Sequence, residues 1–185
     1  MRLLNILIIL FMVENSSLFS GECMEGDCYN GHGTMKFSNG DTYTGYFKDE
    51  KKFGYGIYNF NNGERYEGEF SGDAPNGKGT AYLSNGNIYI GNFINNVPDG
   101  KGKMEYANGN VYEGDWKKGV RDGTGTMTYA DGSKYTGDWK ANKKSGFGTF
   151  KKTEYINMQT PLTPQPTRLI KKINSITIKI NKIQE

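Results

Sequence analysis

The residue types that usually carry out catalysis are scarce in this chain of 185 residues. His32 is the only histidine, and it lies between two glycines. An activated nucleophile needs a general base within hydrogen-bond reach, and a single histidine in a glycine-rich segment forms no such pair. We therefore expect His32 to be an inert surface residue and the protein not to be an enzyme.

Paired carboxylates are a second arrangement that could do acid–base chemistry. Glu67 and Glu69 lie two residues apart, so they share one face if this segment is a strand. The position of Glu69 is occupied by Asn92, Asp115 and Asp138 further along the chain. This regular recurrence favours a solvated polar row, with weak cation binding as the alternative.

One glycine-rich segment is similar to a phosphate-binding loop. Residues 72–79 read GDAPNGKG, which departs from the P-loop pattern because Gly79 stands where Ser or Thr is required. The hydroxyl that would reach a magnesium ion is therefore missing, and no helix signal follows. We predict a hairpin connection here and no nucleotide site.

Cys23 and Cys28 are the only two cysteines of the chain. Such a pair closes a small loop as a disulfide in an oxidising compartment. Free thiols are the alternative. A zinc site is disfavoured because His32 would supply only a third ligand where structural zinc takes four. We expect the disulfide, no metal and no other cofactor.

The N-terminus has the pattern of an export signal. After Met-Arg, the chain reads LLNILIILFMV from residue 3 to residue 13 and turns polar at Glu14. This apolar run is too short to span a bilayer, which takes roughly 17–25 residues. A secretory signal peptide cleaved after Ser20 fits, and a buried N-terminal element is the alternative. We expect an exported protein (periplasmic, cell-surface or secreted); the alternative is a cytoplasmic protein, with or without membrane association.

The elements that position these residues repeat every 23 residues. The motif Tyr-x-Gly-x-aromatic is followed each time by Gly-x-Gly and, in four of the repeats, by Asn-Gly or Asp-Gly. Self-similarity at a fixed period of this length is typical of a repeat array. The motif begins at Tyr43, Tyr66, Tyr89, Tyr112 and Tyr135.

Each repeat is predicted to be a β-hairpin. Between Tyr112 and Trp116, and again from Gly125 to Tyr129, apolar or glycine positions alternate with polar ones, as in a half-exposed strand. Residues 117–122 would connect these strands, and Asp131-Gly132 would form a type I′ turn to the next repeat. The glycines between aromatic residues would leave space in which a ring lies flat. We predict an all-β fold: an elongated, twisted, antiparallel meander in a single sheet with one aromatic-lined face.

The 23-residue pattern Y-x-G-x-[FW], then G-x-G, then [ND]-G resembles the MORN (membrane occupation and recognition nexus) repeat over roughly residues 20–150. The opening CMEGDCYNGHGT also resembles the first, capping repeat of small exported bacterial MORN proteins. The first repeat lacks Tyr-x-Gly and the sixth lacks its closing turn, as terminal repeats do. The resemblance implies the fold but no single function, because MORN arrays accompany lipid kinases, a lysine methyltransferase, membrane-junction proteins and cytoskeletal scaffolds.

The chain divides into five predicted parts of unequal charge. Residues 21–150 carry 15 basic and 17 acidic residues, and residues 151–185 carry 7 and 2. No nucleic acid is therefore expected as a partner, and an anionic membrane surface could be attracted only through the tail. The parts are a probable signal peptide (1–20), an N-terminal capping half-repeat (21–42), the repeat array (43–150), a proline-containing linker (151–167) and a basic, isoleucine-rich amphipathic tail (168–185).

The tail has two competing periodicities. One helical stripe is formed by residues 169, 173, 176, 180 and 183, whereas Ile176, Ile178 and Ile180 alternate as in a strand. The tail could dock onto the array, be disordered, or adhere to a membrane. The candidate membrane-contact residues lie off the helical stripe: Lys171, Lys172, Lys179 and Lys182.

The most probable function is non-catalytic binding or scaffolding, through an aromatic groove that takes an unknown protein or another extended ligand. The alternatives are a peripheral membrane tether that uses the basic tail and a regulatory module of a lipid kinase-type system. Central repeats are favoured because they lie furthest from the ends of the array. The candidate groove residues are Tyr66, Phe70, Tyr89, Phe93, Tyr112 and Trp116.

Overall fold

The computed structural model describes residues 21–156 and 170–174, with side chains up to residue 152. Thirteen strands in these ranges follow one another in chain order, each antiparallel to the next. They are β1 (Gly21–Gly26), β2 (His32–Phe37), β3 (Thr42–Lys48), β4 (Lys51–Asn59), β5 (Arg65–Ser71), β6 (Ala74–Tyr82), β7 (Ile88–Ile94), β8 (Val97–Glu105), β9 (Val111–Lys117), β10 (Val120–Thr128), β11 (Lys134–Lys140), β12 (Lys143–Ile156) and β13 (Ile170–Asn174). The predicted meander of hairpins in one sheet is confirmed.

Two kinds of turn alternate along the sheet. Within each repeat the strands are joined by two residues, such as Lys118 (φ 49°) and Gly119 (φ 77°), whose positive φ angles suit a type I′ turn. Between repeats, only the glycine of Asn-Gly or Asp-Gly has a positive φ. There the amide of Gly132 donates to the carbonyl of Tyr129 (2.8 Å), as in a type I turn that ends in a left-handed glycine.

Two predictions about the connections are therefore corrected. The connection placed at residues 117–122 is only Lys118–Gly119, because β10 begins at Val120. The type I′ turn predicted at Asp131-Gly132 is wrong. The carboxylate of Asp131 accepts a hydrogen bond from the amide of Ser133 (2.8 Å), a local bond that stabilises the observed turn without a positive φ at Asp131.

A row of directly paired glycines crosses the sheet. A Cβ on Gly125 would lie 2.3–2.6 Å from atoms of the Tyr112 ring, and one on Gly114 would lie 2.5 Å from the Cα of Gly125. The glycines thus leave the space that a flat ring occupies, as expected. The row comprises Gly33, Gly45, Gly56, Gly68, Gly79, Gly91, Gly102, Gly114, Gly125, Gly137 and Gly148.

The rings on this side of the sheet, which we call the inner face, form a continuous chain. Each tyrosine makes an edge-to-face contact with the aromatic residue of its own repeat, and four of the five also contact that of the next repeat, with centroids 5.0–5.4 Å apart. Edge-to-face geometry is favoured by the ring quadrupoles. We call this set the ring chain: Phe47, Tyr43, Phe70, Tyr66, Phe93, Tyr89, Trp116, Tyr112, Trp139 and Tyr135.

Each tyrosine of the ring chain also makes a hydrogen bond at an irregularity of the ladder. The pairing register between β5 and β6 shifts between Gly68 and Phe70. The Tyr66 hydroxyl donates to the carbonyl of Glu69 at that point (3.0 Å), and the equivalent bond recurs in all five repeats. The tyrosine thereby satisfies a carbonyl that the shifted ladder leaves available.

The two ends of the sheet differ from the repeats. At the N-terminal end, Cys23 and Cys28 form a disulfide next to the edge strand β1. At the other end, residues 152–156 of β12 pair with β13. Of the two periodicities left open for the tail, residues 170–174, which include Lys171 and Lys172, follow the strand one. The predicted signal peptide, most of the linker, and Lys179 and Lys182 lie outside the described residues.

Candidate binding surface

The six rings proposed as a groove are core residues. Tyr66, Phe70, Tyr89, Phe93, Tyr112 and Trp116 are each no more than 3% exposed. Their burial corrects the expectation that these rings present an open surface to a partner. The reason is the ring chain itself, because each ring is covered by aromatic residues of its own and adjacent repeats.

A second tier of half-buried residues lies on top of the ring chain and remains open to solvent in part. Four of its members, Phe37, Tyr58, Phe60 and Leu83, line a cavity of about 800 Å³ over the first repeats. That volume is within the range of ordinary ligand sites. The members of this tier, which we call the shelf, are Phe37, Tyr58, Phe60, Leu83, Tyr106 and Tyr129.

Sequence reasoning missed the shelf, although its period was visible. Five of its members recur every 23 residues, each two positions before the Asn or Asp of an Asn-Gly or Asp-Gly turn. An apolar residue so close to a polar turn in every repeat is the signal that could have revealed it. These five are Phe37, Phe60, Leu83, Tyr106 and Tyr129.

A buried cation lies at the open end of the shelf. The Nζ of Lys52 is 5.2 Å from the centroid of the Phe37 ring, 5.4 Å from that of Tyr58 and 3.2 Å from the Asp73 carboxylate. Burial lowers the pKa of Lys52, and the carboxylates of Asp73 and Asp41 oppose that shift. The ammonium is therefore held by an ion pair and by ring faces.

Asp41 organises the same region. It is only 5% exposed, and it accepts hydrogen bonds from the Tyr58 hydroxyl (2.7 Å), the Asn39 amide (2.8 Å) and the backbone of Asn61 (2.8 Å). Burial raises the pKa of Tyr58, and its bond to Asp41 adds to the effect. The fully bonded carboxylate fixes one wall of the cavity.

One repeated position of the inner face carries different residue types along the array. Lys52 is replaced by Pro75 and Pro98 in the central repeats and by Arg121 and Lys144 in the last two. The Arg121 guanidinium lies 4.6 Å from the Trp139 ring centroid, and the Lys144 ammonium 4.6 Å from that of Tyr135. The C-terminal part of the face is thus covered by cations.

The lining of the cavity at the N-terminal part includes more acidic than basic side chains. Its basic residues are Lys51, Lys52 and Arg65. Two of these three are neutralised, because Lys52 pairs with Asp73 and Arg65 pairs with Glu67. The acidic residues of the lining are Asp27, Asp41, Asp49, Glu50, Glu64 and Asp73.

One polar atom of the shelf is unsatisfied. The Tyr106 hydroxyl is buried and has no hydrogen-bond partner among the described residues. Burial raises the pKa of Tyr106, and the nearby Arg121 charge opposes the shift. An unpaired buried hydroxyl is costly, so this position has an unused capacity for a hydrogen bond.

The opposite side of the sheet, which we call the outer face, carries exposed aromatic residues at its N-terminal part. Tyr46, Phe53 and Tyr55 are each about half exposed. The exposed His32 makes an edge contact with the Tyr46 ring at 5.1 Å. The Tyr55 hydroxyl donates to Glu67 (2.7 Å), so this carboxylate is occupied by a neighbour.

The row of polar residues that begins at Glu69 has structural contacts in the later repeats. Asp115 accepts hydrogen bonds from the amide and hydroxyl of Thr124 and pairs with Lys101. The Lys101 hydrogen bond is the main cause that lowers the pKa of Asp115. Asp138 accepts the amide of Phe147 in the same way (3.0 Å).

The remaining candidates from the sequence are the segment similar to a P-loop, a metal site and a membrane span. The segment 72–79 consists of a two-residue turn and strand β6. Among the described residues, no group of three or more His, Cys, Asp and Glu side chains is placed to hold a metal ion. No helix in the described part of the chain is long and apolar enough to cross a bilayer.

These features define a β-hairpin repeat protein whose core is a single layer of rings over glycines. The sequence matches the MORN repeat over residues 29–42, 43–65, 66–88, 89–111, 112–134 and 135–153. The chain belongs to the MORN repeat family. Five of the six matched segments start at the tyrosines that the sequence period indicated, and the first starts at residue 29, within the predicted capping half-repeat. No curated protein matches the chain.

Two solved structures are similar in fold at low identity. The TCP domain of SAS-4 (dCPAP) from Drosophila melanogaster, in complex with a proline-rich motif of Ana2 (dSTIL), is 13% identical with a TM-score of 0.45 over 84% of this chain and 90% of that one. The wild-type TCP10 domain of Danio rerio CPAP is 17% identical with a TM-score of 0.42 over 79% and 68%. Scores this low carry no information about function.

Proposed function

We propose that this protein is a non-catalytic binding module that holds an extended peptide segment of a partner protein on its inner face, against the shelf. The observation that carries the proposal is the open cavity of about 800 Å³ over Phe37, Tyr58, Phe60 and Leu83. Aromatic and large apolar side chains on a rigid sheet anchor a ligand at little cost in conformational entropy. The ring chain supports the site from below, and of its members only Tyr66 and Phe70 line the cavity.

The charges around the cavity specify the ligand further. Carboxylates outnumber cations in the lining, and Lys52 and Arg65 are already paired. A peptide with apolar side chains interspersed with Lys or Arg complements this surface. Attraction between its cations and the acidic rim would favour encounter and register, with the apolar contacts supplying most of the affinity.

A random peptide library displayed on phage tests the proposal directly. We expect selection on the full mature chain to enrich extended sequences with apolar and basic residues. Leu83→Ala should weaken a selected peptide by about tenfold or more, because it removes an apolar anchor worth over about 1.4 kcal/mol. Ile90→Ala, a matched change on the outer face, should leave the affinity within about twofold.

Either of two results would refute the inner-face site. The first is that no peptide is enriched. The second is that Leu83→Ala and Ile90→Ala have equal effects while both variants melt as the parent does.

Export is part of the same proposal. It is supported by the apolar run at residues 3–13 and by the disulfide between Cys23 and Cys28, a bond that persists in oxidising compartments. The resemblance of the N-terminal repeat to small exported bacterial MORN proteins agrees with this. Intact mass of the protein from its native host should correspond to a chain that begins near Gly21 and lacks two hydrogens. A mass that includes residues 1–20 with two alkylatable thiols would contradict both points.

A peripheral tether is the second candidate, favoured by the basic excess of residues 151–185. Sedimentation with anionic vesicles distinguishes it, since electrostatic binding weakens with salt as the Debye length falls. Changing Lys171, Lys172, Lys179 and Lys182 together to Gln should abolish vesicle binding if the tail is the anchor. The same variant should keep its affinity for the selected peptide if the shelf is the binding site.

A further inference from the structure

Two cations on the inner face, three repeats apart, have the same backbone surroundings. Lys52 on β4 and Arg121 on β10 occupy the same position of the 23-residue repeat. The amide of Lys52 donates to the Asp73 carboxylate (2.9 Å), and the amide of Arg121 donates to the side-chain oxygen of Asn142 (2.9 Å). Asp73 and Asn142 are equivalent turn residues with φ angles of 73° and 68°. One site therefore has a carboxylate where the other has an amide.

This exchange of a carboxylate for an amide changes the charge of the two sites. The Lys52 ammonium lies 3.2 Å from the Asp73 carboxylate, so the charges of this pair cancel. The Arg121 guanidinium donates to the carbonyl of Asn142 (2.8 Å) and to its side-chain oxygen (3.2 Å), neither of which carries a charge. No carboxylate forms an ion pair with Arg121 in the part of the chain whose side chains the structure describes. The two sites thus differ by one unit of positive charge.

Neighbouring tyrosines reflect the same difference. Burial raises the pKa of Tyr43, and the negative charge of Asp73 raises it further. Burial also raises the pKa of Tyr106 and of Tyr112, but there the positive charge of Arg121 opposes the shift. The inner face is therefore positive around Arg121, whereas the cation at the equivalent position of the first full repeat is neutralised.

The guanidinium of Arg121 is held in one orientation by rings and hydrogen bonds. It lies 4.6 Å from the Trp139 ring centroid and 5.5 Å from that of Tyr112, and Asn142 accepts two of its hydrogen bonds. Arg121 remains partly exposed, and its Nη1 group makes no hydrogen bond within the described residues. A guanidinium presents parallel N–H donors that match the two oxygens of a carboxylate. Arg121 is thus an oriented donor whose charge can be satisfied by an anionic ligand.

We propose that Arg121 is the subsite for an aspartate or glutamate side chain of the peptide that binds the inner face. The inference rests on the proposed function and adds a charge-selective contact to the apolar shelf. A carboxylate and a guanidinium carry one charge each, so the filled subsite is neutral. Because the ring stack and the bonds to Asn142 exist before binding, little side-chain entropy is lost when the pair forms.

A single carboxylate fits this position better than a phosphoryl group. Each repeat adds two strands that are about 4.7–4.9 Å apart, so Lys144, one repeat beyond Arg121, lies roughly 10 Å further along the array. A doubly charged phosphoryl group is usually bound by a cluster of cations. Lys144 is too distant to complete such a cluster around one small anion, although its charge has the same sign.

The spacing of the strands specifies where the acidic residue lies in the peptide. Leu83 directly follows β6 and Arg121 lies on β10, four strands further, so they are roughly 19 Å apart along the array. An extended peptide rises about 3.3 Å per residue, so a peptide that lies along the array covers this distance with about six residues. It should have its basic residues near the acidic rim of the cavity and an Asp or Glu about six positions from the residue that packs on Leu83.

A peptide library with restricted positions tests the subsite on the full chain. In this phage-displayed library, the positions about six residues on either side of a fixed leucine are Glu or Gln, and the others are random. On the parent protein, Glu at one of these positions should be enriched over Gln by about fivefold or more. On Asn142→Asp, which gives Arg121 the counter-ion that Lys52 has, this preference should disappear. Aspartate is compatible with this turn because Asp73 has the same conformation.

Affinities of one enriched peptide, and of the same peptide with Gln in place of Glu, separate the contact from effects on folding. Arg121→Gln should weaken the Glu peptide by about tenfold, as for a hydrogen bond to a charged group, and the Gln peptide by less than about twofold. Since the Gln peptide binds the same shelf, its unchanged affinity shows that the variant is folded. Lys134→Gln is the matched control, because it removes an exposed positive charge from the outer face of β11. It should change both affinities by less than about twofold.

The results separate the subsite from the proposed function. A Glu preference that is present on the parent protein and lost in Asn142→Asp and Arg121→Gln supports the subsite. Enriched peptides that depend on Leu83 but bind equally with Glu and Gln overturn the subsite and leave the shelf as the binding site. If no peptide is enriched, both proposals are overturned. Equal effects of Arg121→Gln and Lys134→Gln on the Glu peptide also overturn the subsite, because the preference then reflects only the net charge of the protein.

Discussion

The inner and outer faces of this sheet are built by the same strands, yet they differ in how much variation they allow. On β9, Tyr112 and Trp116 are buried on the inner face, and their equivalents in every full repeat are tyrosine and Phe or Trp. The outer position between them is Tyr46 in the first full repeat and Asp115 in the fourth. The inner face is constant because every ring must fit both its own repeat and the next one, whereas outer side chains are partly open to solvent and can differ in size.

The difference between the faces shows which aromatic side chains a partner could contact. Aromatic residues on the inner face of the central strands are buried because they pack against one another and hold the repeats together. Two sets of side chains remain accessible to a partner. They are Tyr46, Phe53 and Tyr55 on the outer face and the half-buried shelf on the inner face. Counting aromatic residues therefore overstates the binding surface of such an array, and burial decides which of them remain free.

Alkaline pH should produce the largest separation between the faces. Burial raises the pKa of Tyr112 to about 12 and raises the pKa of Tyr43, Tyr66, Tyr89 and Tyr135 as well. Since the folded pKa exceeds the unfolded value of about 10, the stabilisation is complete below pH 10 and is lost as pH rises through the folded pKa. We expect cooperative unfolding between about pH 10 and 12, followed by circular dichroism.

Tyrosinate absorbance gives the control for the alkaline transition. The tyrosinate signal of the five core tyrosines, out of thirteen in the chain, should appear together with the loss of structure, because they ionise only when the sheet opens. Smooth ionisation of all tyrosines near pH 10, with the sheet intact, would show that the inner face is open to water.

The next largest difference between the faces is expected when one aromatic ring on each face is truncated. Tyr112→Ala should lower the free energy of unfolding by about 3–5 kcal/mol, as for other large core truncations. Tyr55→Ala, more than half exposed, should cost less than about 1 kcal/mol. Urea denaturation measures both values, and similar losses would mean that the outer aromatic residues also hold the repeats together.

Adding a methyl group tests the glycine row. Gly114→Ala should lower the free energy of unfolding by about 1–3 kcal/mol, because its Cβ meets the Gly125 backbone and the Tyr112 hydroxyl. Thr136→Ala on the outer face should cost less, since Thr136 is exposed and loses only its hydroxyl contact with Thr126. Equal melting temperatures would mean that the ring can move aside at no cost.

Removing a single hydroxyl gives the smallest difference. Tyr89→Phe deletes the bond to the Asn92 carbonyl and should cost about 1–2 kcal/mol, because a partly buried acceptor loses its donor. Tyr55→Phe deletes a bond to the Glu67 carboxylate in water and should change stability by less than about 0.5 kcal/mol. A neutral Tyr89→Phe would show that the ring alone, without its hydroxyl, explains the tyrosine.

The 23-residue period determined much of this protein without coordinates. It located the hairpins, the alternation within strands such as Tyr112–Trp116, and the reason for glycine at positions such as Gly114. These features are local or recur identically, so one repeat read carefully predicts the others.

Tertiary structure decided what depends on contacts between repeats. Alternation put Tyr66 and Phe70 on one face, but only packing against Tyr43 and Phe93 showed that these two rings belong to the core. Packing likewise left Phe60 and Leu83 partly open above the core. The local hydrogen bond from the Ser133 amide to the Asp131 carboxylate accompanies the turn type at Asp131, which the sequence had not indicated. The pairing of β12 selected a strand over a helix for residues 170–174. The sequence shows which side chains share a face of the sheet. The side chains that cover them belong to the next repeat, so their burial depends on contacts that form only in the folded sheet.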